Sequence, residues 1–206
     1  MNKQLSALAA CLLLVGTQSA FAASSVDLIV KGLITPSACT PVLSGGGTVD
    51  HGKISAKDLQ PTNPTLIGTH TLTMSVSCDA PITFGLNAID NRAGSAMQSS
   101  DFGLGFINGT QKIGSYNLML QNPVADSVAV QPITSGDNGT TWSAERSWER
   151  GYYMSVGAMD DDTQPLAVKD LTMAVQIQTV IARADSLDLS NEVTIDGSAT
   201  LEVKYL

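Results

Sequence analysis

The most restrictive feature of this sequence is its last fourteen residues, 193–206, VTIDGSATLEVKYL. Val193, Ile195, Gly197, Ala199, Leu201, Val203 and Tyr205 are apolar or small, whereas Thr194, Asp196, Ser198, Thr200, Glu202 and Lys204 are polar. Side chains of an extended chain point to opposite faces in turn, so a period of two predicts a half-buried β-strand over 193–206. A strand at a terminus frays unless another strand pairs with it. The chain must therefore build, or borrow, a sheet around this segment.

The same period recurs upstream. Val26, Leu28, Val30, Gly32 and Ile34 alternate with Asp27, Ile29, Lys31 and Leu33, predicting a strand over 26–34 that is less cleanly amphipathic than the last one. Leu72, Met74, Val76 and Cys78 alternate with Thr71, Thr73, Ser75 and Ser77, which predicts a strand over 70–78 with Cys78 on its buried face. Further strands are expected over 82–88, 111–121, 127–133, 151–157 and 171–181, with a short one over 48–53. Ser44 and the glycine run 45–47 mark a tight loop. Residues 57–65, with Pro61 and Pro64, and 90–102 are expected loops. The segment 141–150 is expected to hold at most a turn or two of helix. Many short strands between turn signals predict an all-β sandwich or barrel.

The first 22 residues stand apart. Lys3, the apolar run 8–16 and the small-x-small triplet Ala20-Phe21-Ala22 form a secretory signal peptide, which predicts an exported mature chain from Ala23 with a single domain over 23–206. The leader's apolar run is too short to span a bilayer, and no membrane span is expected. Cys11 precedes more apolar residues rather than ending them, which disfavours lipidation. The remaining cysteines are Cys39 and Cys78. Two cysteines in an exported chain predict one disulfide; two free thiols or a metal pair are the alternatives, and no His–Cys cluster accompanies them. The chain is acidic, formally −8, with scattered rather than clustered Lys and Arg. Phosphate backbones need clustered basic residues, so no nucleic-acid partner is expected.

Chemistry-bearing patterns are sparse. His51 and His70 are the only histidines. A nucleophilic triad needs a carboxylate on its histidine, and Asp50 beside His51 faces the other way on a strand. No catalysis and no cofactor are expected. Asp160, Asp161 and Asp162 lack the spacing that wraps calcium, and read as a solvated hairpin loop, so no metal is expected. Trp142 and Trp148 are weak candidates for stacking on a sugar, or else caps of the core. Asn108-Gly109 and Asn138-Gly139 predict tight turns.

Several of these features coincide with a known pattern. A strand carrying Lys31-Gly32 leads into Ala38-Cys39; a later strand ends in Cys78; the chain closes on an alternating strand with penultimate Tyr205. This resembles the subunits of chaperone–usher fimbriae. The islands ACTPV with its glycine run, FGLG (102–105), TQKIG (110–114), ERGY (149–152) and IDGSATLEVKYL look more closely like a group of fimbrial-like exported proteins of unknown function. The resemblance implies an immunoglobulin-like, pilin-type sandwich lacking its last strand. It implies a hydrophobic assembly groove beside the C-terminal strand, lined by Val193, Ile195, Ala199, Leu201, Val203, Tyr205 and Leu206. A periplasmic fimbrial chaperone, gripping the Leu206 carboxylate, would fill it first, and a neighbouring pilin-like subunit would follow. Location would be the periplasm or the cell surface, and the role structural or adhesive. The alternative is a self-complete periplasmic ligand- or carbohydrate-binding module. Two departures bear on polymerisation. Only 16 residues, Ala23 to Ala38, precede Cys39 in the expected mature chain, which is short for a donor extension, and Val193 occupies a position where pilins often have glycine.

Overall fold

The computed structural model describes residues 29–32 and 38–206. The chain divides into a unit Met1–Ile34 and a unit Thr35–Leu206. The expected signal peptide lies outside the described residues. Of the strand expected over 26–34, residues 29–32 are described and belong to no strand.

The second unit is all-β. In chain order its strands are β1 (Cys39–Leu43), β2 (Thr65–Ile82), β3 (Phe84–Asp90), β4 (Phe102–Gly103), β5 (Phe106–Ile107), β6 (Gln111–Lys112), β7 (Gly114–Ala125), β8 (Val128–Ala129), β9 (Gln131–Ser135), β10 (Ser143–Ala144), β11 (Ser147–Trp148), β12 (Tyr153–Gly157), β13 (Val168–Ile181) and β14 (Ala199–Tyr205). One sheet runs β1-β2-β13-β7-β11, with β4 and β8 attached to β7. The second runs β10-β9-β12-β3-β14, and β5 with β6 forms a separate hairpin. Pairings are antiparallel throughout. No described helix is long and apolar enough to cross a membrane.

The sheets are stacked because each presents one apolar face. Met74 and Val76 of β2, Leu118 and Leu120 of β7, and Leu171, Met173 and Val175 of β13 bury against Phe84, Leu86 and Ala88 of β3 and Met154 and Val156 of β12. Trp148 fills the same core at 1% exposure. Each large side chain so buried contributes about 1.5–3 kcal/mol, and this set is what makes the sandwich stable. A satellite cluster of Leu104, Ile107, Ile113, Ile181 and Leu187 lies apart from it.

Cys39 and Cys78 form the disulfide. They are directly opposed in the β1–β2 ladder, so the bridge pins a five-residue edge strand that has no other ladder.

Several expectations are corrected. β1 was hidden by Pro41, which reads as a strand breaker; a proline is tolerated on an edge strand where its missing N–H faces away from the neighbour. Residues 48–53 are irregular rather than a strand, because Asp50 Oδ1 accepts the Gly52 N–H at 2.8 Å and Gly52 takes φ +62°. The segment 141–150 holds no helix: Glu145 Oε1 accepts the Arg146 and Ser147 N–H groups as the chain crosses from β10 in one sheet to β11 in the other. The connection holding Asp160–Asp162 begins with a tight turn closed by the antiparallel bridge between Ala158 and Asp161 and then crosses between sheets, since β12 and β13 lie in different ones. The expected final strand is shortened to Ala199–Tyr205.

Closing a loop of about 40 residues is worth about 4 kcal/mol in the chain-entropy account. Urea unfolding of the double variant Cys39→Ser/Cys78→Ser should show a loss of that order, with a steeper slope against urea because the freed denatured chain exposes more surface.

Candidate functional site: an open edge beside an apolar cleft

Among the described residues, β14 is the last strand of its sheet and pairs only with β3. The Asn91 N–H donates to Ser198 O at 2.9 Å and the Leu206 N–H to Thr83 O at 3.3 Å. In an antiparallel ladder, hydrogen-bonded and non-bonded pairs alternate. Ser198, Thr200, Glu202, Lys204 and Leu206 are therefore the positions that bond to β3. Ala199, Leu201 and Val203 turn their N–H and C=O groups the other way, where no described strand meets them.

Across the gap stands β1. The Asp79 N–H donates to Ala38 O at 3.1 Å, so by the same alternation Cys39, Pro41 and Leu43 direct their backbone groups away from β2 and toward the gap. The Cys39 N–H donates to the Tyr205 hydroxyl at 2.9 Å, and Pro41 has no N–H. The β1 edge is thus largely blunted while the β14 edge is open. The Tyr205–Cys39 contact also closes the gap at one end.

Between these edges lies a cavity of about 270 Å³. Leu201 and Ala199 form one wall, Leu43 the other, and Leu72, Val175 and Ile177 the floor. A second cavity of about 530 Å³ continues past it over the satellite cluster. Val49, His51 and Ile195 line both. No residue of β14 reaches full burial, although Ala199, Leu201 and Val203 pack on the main core. That half-exposure is what a core strand shows when a neighbour is missing.

The residues singled out from the sequence divide accordingly. Ile195, Ala199 and Leu201 line the first cavity, and Val193 and Ile195 the second. Val203, Tyr205 and Leu206 line neither. Val203 packs on the main core, Tyr205 holds Cys39, and Leu206, at 45% exposure, lies over Gly139. Trp148 is inside the core, and Trp142 is buried with its indole N–H donating to Gly139 O at 3.1 Å. Both tryptophans follow the core-capping alternative. Among the described residues no cluster of three or more His, Cys, Asp or Glu could hold a metal. Asp161 instead accepts the Thr163 N–H and hydroxyl, and these bonds hold its carboxyl below the usual range. Asn108 and Gly109 both take positive φ in the turn between β5 and β6, as expected from the pair.

The sequence islands that looked separate converge at the open end of the cleft. Asp90, 6% exposed at the end of β3, accepts the Arg92 N–H at 2.8 Å and the Gly103 N–H at 3.2 Å, and pairs with Arg150 at 3.5 Å. Ser95 Oγ donates to Arg92 O and accepts the Gly105 N–H. Lys112 Nζ donates to Ala96 O at 2.7 Å. Arg92 pairs with Asp196 at 2.7 Å. These contacts clamp loop 91–101 and set Leu104 and Tyr116 at the cleft's end. Gly197 is required there: a Cβ would lie 2.9 Å from Leu104 Cδ2 and 3.0 Å from the Tyr116 ring. Burial, with Asp90 adding to it, pushes the Tyr116 hydroxyl well above its ordinary value, despite Arg92. It remains a neutral phenol.

This clamp was not found from the sequence. Its only trace there was the company kept by Arg150 in ERGY and by Gly103 in FGLG.

The model of a family described as "Protein of unknown function (DUF1120)" matches residues 28–102. The chain is similar to "Uncharacterized protein YhcF" of Escherichia coli (strain K12), with 27% identity over 225 residues, covering 91% of this chain and 93% of that protein. It is also similar to "Protein GltF" of the same organism, with 28% identity over 254 residues, covering 100% and 99%.

Two substitutions test this geometry. A Cβ on Gly103 would meet Ser95 Oγ and lie 2.6 Å from Arg92 O, so Gly103→Ala should destabilise by about 2 kcal/mol, the usual cost of overpacking. Tyr205→Phe should cost about 1 kcal/mol, the net worth of one hydrogen bond. Both are measured by thermal or urea unfolding.

Proposed function

We propose that this protein is an exported, fimbrial-like structural or adhesive subunit, built as a pilin-type immunoglobulin-like sandwich that is completed by a strand from another polypeptide. A periplasmic chaperone and then a neighbouring pilin-like subunit are the proposed donors, in the periplasm or at the cell surface. No catalytic role is assigned. The observation that carries this reading is the outward edge of Ala199, Leu201 and Val203 beside an apolar cleft. An extended segment laid there would pair with three residues' worth of free backbone groups and place alternate side chains over Leu72, Val175 and Ile177. This is β-strand addition. An open apolar edge invites aggregation when left alone, which gives a chaperone its purpose. The sequence islands and the expected signal peptide support the same reading.

One observation favours the alternative of a self-complete binding module. The Tyr205–Cys39 bond joins the two edges without a partner, and the larger cavity lies beyond the end of β14.

The experiment is export of the full chain to a bacterial periplasm with and without a fimbrial chaperone. The proposal expects poor recovery alone and a soluble one-to-one complex with the chaperone. Leu201→Asp, which places a charge in the cleft, should abolish the complex. Recovery of a soluble monomer with one sharp unfolding transition, indifferent to the chaperone, would favour the self-complete module.

A further inference from the structure

The chain's two histidines meet where the two cavities join. His51 lines both cavities. Its ring stands edge-on to His70 of β2, with centroids 4.8 Å apart. His51 Nε2 hydrogen-bonds Thr179 Oγ1 of β13 at 3.0 Å, and Thr179 is only 3% exposed on the core face. The partner is a hydroxyl, not a carboxylate, so this is not the arrangement of a triad.

Gly68 makes the meeting possible. It lies directly opposite Thr179 in the β2–β13 ladder. A Cβ there would come 3.0 Å from His51 Nδ1 and 3.1 Å from His70 Nε2. Two ring nitrogens from separate elements therefore converge over one glycine. Segment 48–53, which carries His51, has no ladder of its own. Its attachment at this point is the contact of His51 with Thr179 and His70.

We infer that His51, held against His70 and Thr179, forms an acid-responsive latch on the cleft wall, closed when the His51 ring is neutral and loosened when it gains a proton. A charge on His51 would stand against the His70 ring over Gly68. His51 would also carry its charge against the core face of β13, where Thr179 offers one hydroxyl and no counter-charge. The groups facing His51 are Asp50 on its own segment, His70 from β2 and Thr179 from β13, with Lys53 and Glu192 on the rim of the larger cavity. Asp50 opposes the effect but does not outweigh it: burial, and then the neighbouring His70, hold His51 below the ordinary histidine value.

The direction follows from linkage. A lowered value means the unfolded or opened segment binds protons more readily than the closed one. The latch's contribution is therefore complete above the ordinary histidine value of about 6.5. It declines as pH falls below that, and is gone below the lowered value of the closed state. The consequence that acid loosens strand docking rests on the strand-addition reading; the latch itself does not.

Amide hydrogen exchange of segment 48–53 in the full mature chain, corrected for intrinsic rates, tests the latch without any partner. Protection should fall several-fold between pH 7.5 and pH 5.0, with a midpoint that follows the His51 ring resonance in an NMR titration. In His51→Gln the protection should become independent of pH. His70→Gln keeps the Thr179 contact and serves if the first variant does not fold; it should raise the His51 midpoint. Flat protection across the His51 titration, or an equal fall in His51→Gln, would overturn the latch. Neither result bears on whether a chaperone complex forms, so the two readings fail separately.

Discussion

The pairing of β2 with β13 is the interaction on which the rest of the sandwich depends. It runs from Val168 opposite Ile82 to Ile181 opposite Thr65, and its inward side chains are both the core and the floor of the cleft. Everything to one side hangs from β2: the short β1, held by its ladder and by the disulfide. Everything to the other side hangs from β13 through β7. Because β2 and β13 extend well past the second sheet's short strands, part of their apolar face has no opposite layer. The two cavities occupy that uncovered stretch, and the histidine pair stands within it.

The open edge and the clamp around Asp90 are two sides of one design. The clamp fixes loop 91–101, and through Leu104, Tyr116 and Gly197 it fixes where the chain turns into β14. β14 then runs along β3, and its outward groups have no ladder partner among the described residues. Buried Asp90 is satisfied by two N–H groups and a guanidinium, and for that reason the arrangement is stable rather than a source of strain.

Much of this was legible in the sequence, for identifiable reasons. Period-two patterning located β2 and β14, because each has one core-facing and one more exposed set of side chains, and β3, β7, β12 and β13 fall within segments expected as strands. The disulfide followed from the two cysteines that remain once the expected signal peptide is set aside. What escaped had no periodic signal. β1 was masked by Pro41, whose edge position only the ladder reveals. Val193 and Ile195 do face inward as their spacing implied, but Asp196 donates its N–H to Leu104 O rather than to a strand, so that stretch stays irregular. His51 and His70 lie 19 positions apart, and Asp90 and Arg150 lie 60 apart; contacts of that range are set by topology, which no local pattern encodes. Trp142 and Trp148 could be read either way from their polar neighbours, and the fold buries both.

The bond between Tyr205 and Cys39 has a consequence for register. In a strand, a shift by one residue exchanges the two faces, but a shift by two restores them. An apolar cleft alone therefore accepts a sliding segment at several positions, two residues apart, with nearly equal fit. A trench blocked at one end does not. For a segment added there as proposed, the Tyr205–Cys39 contact would act as a stop for its leading residue, so that a single alignment would be selected by length rather than by composition.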